Sequence, residues 1–392
     1  MEKVRFGIIG VGNMGSGHAK SFLEGKVENG VLAAICDLKP EKIEKIKAMA
    51  GAENVAVFSD YKEMLASGLI DAVIVAVPHY FHPQMSIDAL NAGIHTICEK
   101  PAGVYTKQVK EMNAVAEKSD KLFAIMFNQR TNCTYRKMRE MIKDGELGEI
   151  KRINWIVTNW YRSQSYYDSG DWRATWRGEG GGVLFNQCPH QLDLLSWVTG
   201  MMPKRVRTFC HFGKWHDIEV EDDVTAYLEY ENGATGVFVT STGDAPGTNR
   251  FEILGDRGKL VSERVGKDIV LKFFKLEIPE REFNATHTGG FGEPNYEVID
   301  VETDGKNPQH VGILNNFSNA VLGLEPLFVD GKEGINGVQL MDSMLLSTWL
   351  NDFVELPIDD DLYYEELQKK IATGRVKTVV ESNATVDMSN TF

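Results

Sequence analysis

The first third of the chain alternates short apolar runs with segments of helical spacing. The apolar runs are Val4–Ile9, Val31–Cys36, Ala72–Val77, His95–Cys98 and Leu122–Phe127. The helical segments between them include Pro40–Ala50, Tyr61–Ser67, Pro83–Ala92 and Lys107–Ser119. Nearly continuous apolar strands separated by helices are typical of a parallel sheet that is buried on both faces. The pattern predicts a doubly wound α/β domain over residues 1–127.

After residue 127, short strands with alternating polar and apolar positions become common. Strand patterns lie at 151–162, on both sides of Glu231–Gly233 within 223–243, on both sides of Gly255–Gly258, and at 267–278. Helical patterns return at 309–322 and 337–354, and a polar segment that we expect to wrap or fray runs from about 360 to 392. Consecutive antiparallel strands favour a second, α+β domain with an open-faced, mainly antiparallel sheet over residues 128–392.

The length and charge of the chain fit two domains and exclude some partners. With 392 residues, the chain exceeds the roughly 250–300 residues at which one hydrophobic core stops growing. Its 42 basic and 56 acidic side chains give a net charge of −14 at pH 7. Because that charge repels phosphate backbones and anionic lipids, we expect no general binding to nucleic acid or to membrane surfaces.

The sequence gives little sign of a membrane helix, a signal peptide, disulfide bonds or a structural metal site. Apolar runs such as Ala72–Val77 are far shorter than the roughly 18 residues of a membrane helix. Glycines interrupt the apolar stretch near the N-terminus, and no small-residue cleavage site follows it. The five cysteines are widely spaced and form no Cys-x-x-Cys pair, which disfavours a disulfide framework and a structural zinc site. We expect a soluble cytoplasmic protein without a metal.

A glycine-rich turn follows the first predicted strand and opens a helix. Its residues are Gly10, Val11, Gly12, Asn13, Met14 and Gly15. This G-x-G-x-x-G pattern permits a tight turn, lets the backbone approach a pyrophosphate and allows the helix to pack closely on the strand. Asp37 follows Gly15 by 22 residues, where a carboxylate can hold a ribose hydroxyl. Its charge favours NAD, while Lys39 leaves NADP possible.

Two polar clusters follow later strands of the same predicted sheet. The first is Pro78–His82, and the second is Glu99-Lys100-Pro101. Ligands of doubly wound sheets bind at the carboxyl ends of the strands, where both clusters fall.

These motifs, together with residues 180–193 (GGGVLFNQCPHQLD), resemble the glucose–fructose oxidoreductase / inositol dehydrogenase / MocA (Gfo/Idh/MocA) family. The likeness covers nearly the whole chain, and the order of the motifs is specific. The resemblance implies an N-terminal Rossmann domain, a C-terminal open-sheet domain, and oxidoreduction of sugars or polyols with NAD or NADP. It also implies a homo-oligomer, such as a dimer or tetramer, that assembles through the open sheet.

Oxidation of a secondary alcohol needs a group that accepts the hydroxyl proton, and histidine is best suited near neutral pH. In the resembled family, the lysine and histidine that match Lys100 and His190 line the cleft at the nicotinamide. We therefore expect His190 to act as the general acid/base and Lys100 to orient the hydroxyl. Asn186 is a third catalytic candidate, although many family members carry aspartate there. An amide can bind a hydroxyl but cannot raise the basicity of an imidazole as a carboxylate can.

The remaining candidates divide into cofactor-binding and substrate-binding residues. Besides the glycine turn and Asp37, the cofactor set comprises Pro78, His82, Glu99 and Lys100. The substrate set comprises Arg130, Trp160, Arg162, Trp172, Arg173 and Gln187, because aromatic faces, guanidinium groups and amides suit sugar rings and their hydroxyls. For the aromatic and basic residues within 160–173, ordinary packing or an oligomer interface is an equal alternative. The loop around Trp215 and His216 fits either a mobile lid or a subunit contact.

The motifs favour an NAD(P)-dependent dehydrogenase that acts on a ring hydroxyl of a sugar, cyclitol or glycoside. One alternative is a glycoside 3-oxidase or a redox-neutral glycoside-cleaving enzyme that keeps its NAD bound. Another is a non-catalytic regulator that senses a sugar or a nucleotide, which the presence of both Lys100 and His190 disfavours.

Overall fold

The computed structural model describes residues 3–375 and 377 and divides the chain into two compact units. Unit 1 comprises Met1–Thr131 and Pro308–Val338, and unit 2 comprises Asn132–Asn307 and Gln339–Phe392. The boundary predicted from the sequence, at residue 127, assigns all of residues 128–392 to the second domain. The contacts in the structure instead assign residues 308–338 to unit 1.

Unit 1 is built on a six-stranded parallel sheet. Its strands are β1 (Val4–Ile9), β2 (Gly30–Cys36), β3 (Ala56–Phe58), β4 (Ala72–Val75), β5 (His95–Cys98) and β6 (Phe123–Ile125), in the order β3-β2-β1-β4-β5-β6. The helices between them are α1 (Asn13–Leu23), α2 (Pro40–Lys47), α3 (Tyr61–Ala66), α4 (His82–Asn91) and α5 (Thr106–Ala116). This order confirms the doubly wound fold, and every residue of β4 is buried, as its continuous apolar pattern predicts.

The helix α11 (Gln309–Val321) brings the chain back to unit 1. Its Phe317 lies beside Phe6 of β1, with ring centroids 6.3 Å apart. Asn315 accepts a hydrogen bond from the backbone of Glu28 over 2.8 Å, and Asn319 accepts one from the side chain of Asn29 over 2.7 Å. The periodicity of 309–322 predicts this helix, but it carries no information about the unit on which the helix packs.

Unit 2 is built on a nine-stranded sheet. Its strands are β7 (Ile150–Val157), β8 (Arg205–Phe212), β9 (Glu221–Glu229), β10 (Thr235–Ser241), β11 (Asn249–Gly255), β12 (Gly258–Val265), β13 (Asp268–Leu276), β14 (Tyr296–Asp300) and β15 (Val354–Glu355). They lie in the order β14-β13-β12-β11-β7-β10-β9-β8-β15, and only β7 and β10 pair in parallel. The open-faced, mainly antiparallel sheet is therefore confirmed.

One face of this sheet is buried and the other is open. Along β7 the buried residues Ile153, Trp155 and Val157 alternate with more exposed ones, and Trp155 stacks on Phe251 at 4.1 Å between ring centroids. The other α-helices among the described residues are α6 (Cys133–Lys143), α7 (Gln164–Asp168), α8 (Val183–Asn186), α9 (Pro189–Thr199), α10 (Glu280–Thr286), α12 (Gly334–Leu350) and α13 (Asp360–Thr373).

The helix α13 corrects the expectation of an irregular polar tail for its part of the chain. Asp359 caps the helix by accepting hydrogen bonds from the backbone N–H groups of Asp361 and Leu362. Tyr363 and Leu367, one turn apart on the same side of the helix, are buried. The expectation for residue 376 and for residues 378–392 lies outside the described residues.

Across residues 3–375 and 377, no helix is long and apolar enough to cross a membrane. Within the same residues, no three histidine, cysteine or acidic side chains come close enough together to hold a metal ion.

Candidate active site

The glycine turn of unit 1 has the shape that a dinucleotide needs. Gly10 has φ of +86°, and a Cβ there would lie 2.5 Å from the carbonyl oxygen of Ala76. A Cβ on Gly15 would lie 1.9 Å from the carbonyl oxygen of Gly10, so both positions require glycine. Around Gly12 the space is open: apart from its chain neighbours, only Lys42 Nζ among the described residues lies within 4 Å of the position that a Cβ would occupy, at 3.9 Å. The residues present therefore fit a pyrophosphate that approaches the bare backbone before α1.

Asp37 is fixed beside this turn at the end of β2. Its Oδ2 accepts a hydrogen bond from the backbone N–H of Val11 over 2.9 Å, and its Oδ1 accepts one from Lys39 over 2.9 Å. Asn13, which is exposed, and Met14, which is half-buried, form the first turn of α1. A carboxylate can accept several hydrogen bonds, so Asp37 retains capacity for a ribose hydroxyl.

His82 holds two loops of unit 1 together at the carboxyl edge of the sheet. Its Nδ1 lies 2.7 Å from the carbonyl oxygen of Pro101, and its Nε2 lies 2.7 Å from that of Val77. The ring is buried, and burial lowers the pKa of His82. Pro78, by contrast, is exposed just after β4. The contacts of His82 give it a structural role at this edge, which the sequence did not predict.

A buried hydrogen bond joins Glu99 to His18 of α1. The Oε1 atom of Glu99 lies 2.6 Å from Nε2 of His18, and Oε2 accepts the backbone N–H of Lys100 over 3.1 Å. Burial by itself raises the pKa of Glu99, but the hydrogen bond to His18 and the nearby charge of Lys100 are among the interactions that lower it to about 2. Glu99 is therefore a carboxylate at neutral pH, and it links the helix of the glycine turn to the half-buried Lys100.

His310 lies beside His18. The two rings meet edge to face, with centroids 5.4 Å apart. Burial lowers the pKa of His310 to about 4, so its ring is neutral at neutral pH. The sequence did not predict either histidine as part of the site. His18 follows Gly15 by three residues on one helix, which is a weak signal, and His310 comes from the returning segment.

In unit 2, several predicted substrate-binding residues gather around Tyr166 of α7. Arg173 Nη1 donates to the Tyr166 hydroxyl over 2.9 Å, and the guanidinium of Arg162 also packs over the ring, 5.2 Å from its centroid. Trp172 stacks with Arg173 at 4.8 Å. Burial raises the pKa of Tyr166, so its phenol stays protonated at neutral pH.

Two amides complete this cluster. Asn186 Oδ1 accepts a hydrogen bond from the Tyr166 hydroxyl over 3.0 Å and one from Gln187 Nε2 over 2.9 Å. The Oε1 atom of Gln187 is buried and has no hydrogen-bond partner among the described residues. A buried acceptor without a partner costs about 1–3 kcal/mol, which a donating ligand hydroxyl would relieve.

A carboxylate that the sequence reasoning missed supports the amides. Glu179 is 2% exposed, and its Oε2 accepts the backbone N–H of Ala174 over 2.7 Å. Its Oε1 accepts a hydrogen bond from Asn186 Nδ2. A carboxyl group, which aspartate would bring at position 186, is therefore present on a neighbouring side chain.

His190 lies in the first turn of α9, just after this cluster, and is 5% exposed. The preceding glycine segment is held by Glu221, whose Oε1 accepts the backbone N–H groups of Gly182 and Leu184 over 2.8 and 3.1 Å. Burial raises the pKa of Glu221 to about 8, so this side chain is mainly protonated at neutral pH. Trp160 is also buried, and its Nε1 has no hydrogen-bond partner among the described residues.

Arg130 has a different environment from the other predicted substrate-binding residues. Its side chain is 2% exposed and donates to Glu333 over 2.7 Å within unit 1. Its guanidinium also lies 5.2 Å from the ring centroid of Phe127. These contacts bind the returning segment to the end of the parallel sheet and argue against a role in substrate binding.

The loop around Trp215 and His216 is held firmly. Both oxygens of the buried Asp222 accept backbone N–H groups from residues 214–216, and its Oδ2 also lies 3.0 Å from His216 Nδ1. His216 Nε2 contacts the carbonyl oxygen of Arg162 at 2.8 Å. These bonds argue against a mobile lid, while Trp215 remains 51% exposed.

Known sequence families match both units. Residues 4–127 match the GFO/IDH/MocA family described as an oxidoreductase family with an NAD-binding Rossmann fold. Residues 135–261 match the GFO/IDH/MocA C-terminal domain.

Individual proteins show the same likeness. The chain is 24% identical over 275 residues to myo-inositol 2-dehydrogenase of Thermotoga maritima, covering 68% of this chain and 78% of the relative. It is 25% identical to levoglucosan dehydrogenase of Pseudarthrobacter phenanthrenivorans, covering 91% and 99% of the two chains. Alignments with several other relatives cover between 60% and 65% of those proteins.

Among solved structures, the chain is similar to the WlbA dehydrogenase from Bordetella pertussis in complex with NADH and UDP-GlcNAcA. The TM-score is 0.75 at 26% sequence identity, and the superposition covers 91% of this chain and 100% of the WlbA chain.

Proposed function

Because this chain belongs to the Gfo/Idh/MocA family of NAD-binding oxidoreductases, we propose that it oxidises a secondary ring hydroxyl of a sugar, cyclitol or glycoside. The bound nicotinamide supplies the hydride acceptor in that reaction. The observation that carries the proposal is the cluster around Tyr166, in which two guanidinium groups and two amides converge on one phenol.

The chemistry of this cluster suits a polyol. Each hydroxyl of a sugar can donate one hydrogen bond and accept others, so it needs both kinds of partner. Arg162 and Arg173 offer donors, and the buried Oε1 of Gln187 offers an acceptor. Trp172 supplies an aromatic face for the apolar side of a ring.

Three residues carry the proton and position the hydroxyl in this proposal. His190 accepts the hydroxyl proton, and Lys100 orients the oxygen and stabilises the alkoxide that develops on it. Asn186, held between Tyr166 and Glu179, binds a neighbouring hydroxyl. Glu99 fixes the backbone at Lys100 through its hydrogen bond to that N–H.

The test uses purified protein with NAD+ and a panel of sugars, cyclitols and glycosides, and follows NADH by its absorbance. We expect turnover on at least one member of the panel. His190→Ala and Lys100→Ala should each lower kcat about 100-fold or more, because positioned proton transfer contributes roughly that factor. His287→Ala replaces an exposed histidine and should keep the wild-type rate.

Absence of NADH formation on every substrate would exclude this function, and wild-type rates in both variants would exclude the roles of His190 and Lys100. Equal loss of activity in His287→Ala would show that the effect of His190→Ala is not specific to its position.

We also propose that the protein is a cytoplasmic homo-oligomer that associates through the open face of the nine-stranded sheet. Side chains on that face include Ile156, Phe209 and Tyr227, which are 41%, 53% and 38% exposed. Exposed apolar patches of this kind mark contact surfaces in soluble proteins. Four of the five cysteines are buried free thiols, which suits a reducing compartment.

A further inference from the structure

Arg162 and Arg173 bring two positive charges to one aromatic ring of unit 2. Their guanidinium carbons lie 5.2 Å and 4.7 Å from the ring centroid of Tyr166, and both side chains are half-buried. Lys377 adds a positive charge nearby, because its Nζ donates to the carbonyl oxygen of Arg173 over 3.2 Å. Among the described residues, no carboxylate oxygen lies within 4 Å of a nitrogen of either guanidinium. A charge that has lost part of its water needs a partner, and the protein supplies none here.

The carboxylates of the same segment are engaged elsewhere. Glu179 is buried, and its two oxygens accept hydrogen bonds from a backbone N–H of the preceding loop and from Asn186. Asp168 accepts a hydrogen bond from Gln164 over 3.1 Å, and Asp171 is exposed. A chain with 56 acidic and 42 basic side chains therefore leaves both of these arginines without an ion pair.

Arg173 also keeps most of its hydrogen-bond donors unused within the protein. A guanidinium has five N–H donors in a planar fork. The Nη1 atom of Arg173 donates to the hydroxyl of Tyr166 over 2.9 Å, and its Nε and Nη2 atoms make no hydrogen bond among the described residues. Such a fork matches the paired oxygens of a carboxylate or a phosphate.

We propose that the substrate of this site is an acidic sugar, whose carboxylate or phosphate binds to Arg162 and Arg173. The chemistry that both groups share is an oxyanion on a polyhydroxylated ring. The buried Oε1 of Gln187, which has no hydrogen-bond partner among the described residues, then accepts from a hydroxyl of the same ring. This inference rests on the proposed function, because it names the class of sugar that the cluster around Tyr166 receives.

The experiment compares kcat/KM, with NAD+, for sugars that differ in a single group. Glucuronate and glucose 6-phosphate are each compared with glucose, and galacturonate is compared with galactose. We expect kcat/KM to be at least about tenfold higher for an acidic sugar than for its neutral partner, since charge-assisted hydrogen bonds contribute about that factor. Preference for a uronate or for the phosphate identifies the anion. Equal or lower kcat/KM for all three acidic sugars would overturn the proposal.

Two variants and a control locate the preference in the structure. Arg162→Met and Arg173→Met remove the charge but keep an apolar stem, and each should reduce the preference for the acidic sugar about fivefold or more, mainly through KM. Arg177→Met removes an exposed arginine of the same loop and should leave the preference within about twofold of the wild type. Because each preference is a ratio measured on one protein, partial loss of folded enzyme does not affect it. An unchanged preference in both Arg162→Met and Arg173→Met would overturn the proposal.

Calorimetry separates this proposal from the proposed function. The acidic and neutral sugars are titrated into the enzyme with NADH, which cannot accept a hydride, so that Kd is measured without oxidation. Tighter binding of the acidic sugar by a protein that forms no NADH with any substrate would support the anion site and exclude the dehydrogenase. Turnover of neutral sugars without a preference for acidic ones would exclude the anion site and leave the dehydrogenase intact.

Discussion

At the scale of single residues, the cluster around Tyr166 shows that a carboxyl group can be supplied from another position in the sequence. Asn186 carries no charge, but Glu179 accepts its amide hydrogen and supplies a carboxylate beside it. The same carboxylate holds the backbone of Ala174, which has φ of +52°. A comparison of position 186 alone therefore misses the carboxyl group of the cluster.

Glu221 is predicted to make stability depend on pH. Its folded pKa of about 8 exceeds the unfolded value near 4.3, so between these pH values the folded state holds a proton that the unfolded state lacks. The free energy of unfolding should therefore fall as pH rises from about 5 to 8, by at most about 1.4 kcal/mol per pH unit from this group. Urea unfolding across that range measures the slope.

The variant Glu221→Gln keeps an oxygen for the N–H groups of Gly182 and Leu184 but does not titrate. Its unfolding free energy should show a weaker dependence on pH than the wild type. Glu231→Gln, in the exposed turn after β9, is the matched control and should reproduce the wild-type slope. Parallel curves for Glu221→Gln and the wild type would contradict the raised pKa.

The sequence could identify candidate site residues only where they belong to a short motif. Asp37, Glu99 and Lys100 each lie at the end of a recognisable strand, and the structure places them there. His18, Lys42 and Glu179 belong to no such motif. Their positions depend on contacts between segments that are far apart in sequence or on the path of a loop.

At the scale of elements, the helix α1 contains glycines of two kinds. Gly15 faces the strand side, where a Cβ would collide with the carbonyl oxygen of Gly10. Gly17 is exposed, and a Cβ there would meet no atom within 4 Å. The two residues share one helix but differ in what surrounds them.

Alanine at these two positions should have opposite effects. Gly15→Ala should lower the free energy of unfolding by at least about 2 kcal/mol and weaken NAD+ binding, because the turn must shift. Gly17→Ala should raise it by about 0.5–1 kcal/mol, because alanine favours the helix and leaves the turn intact. Urea unfolding and NAD+ titration measure both effects, and a change of the same sign in both variants would contradict this account.

The elements themselves were largely predictable, and their partners were not. Apolar runs and their spacing predicted five of the six strands of unit 1, but β3 was missed; it is a short strand at the edge of the sheet, and none of its residues is fully buried. The helix α11 was predicted from its periodicity, yet its contacts with Phe6 and Asn29 assign it to unit 1. Periodicity identifies a buried face without identifying what buries it.

At the scale of the whole molecule, the open sheet face is predicted to control association. Ile156 of β7 pairs with Val239 of β10, and Tyr227 of β9 pairs with Val237, two residues before Val239, so these apolar side chains share one face of the sheet. Sedimentation should give a mass of at least twice the 43.9 kDa of one chain. Because a charge on this surface would be costly to bury, Tyr227→Glu and Ile156→Asp should weaken association about tenfold or more.

Leu69→Asp provides the control, since Leu69 is a similarly exposed apolar residue, at 42%, in unit 1. It should leave the sedimenting mass unchanged. A monomeric wild type, or full association of both sheet variants, would contradict association through the open face.

The sequence by itself determined the two architectures, the glycine turn with Asp37, and the strand ends that carry Glu99 and Lys100. These features depend on local spacing and on residue types that the backbone requires. Only the tertiary structure decided that Glu99 pairs with His18, that Glu179 supports Asn186, and that Arg130 is bound to Glu333. Such contacts join residues through packing and burial, and the energy of a buried charge depends on neighbours that spacing along the chain does not specify.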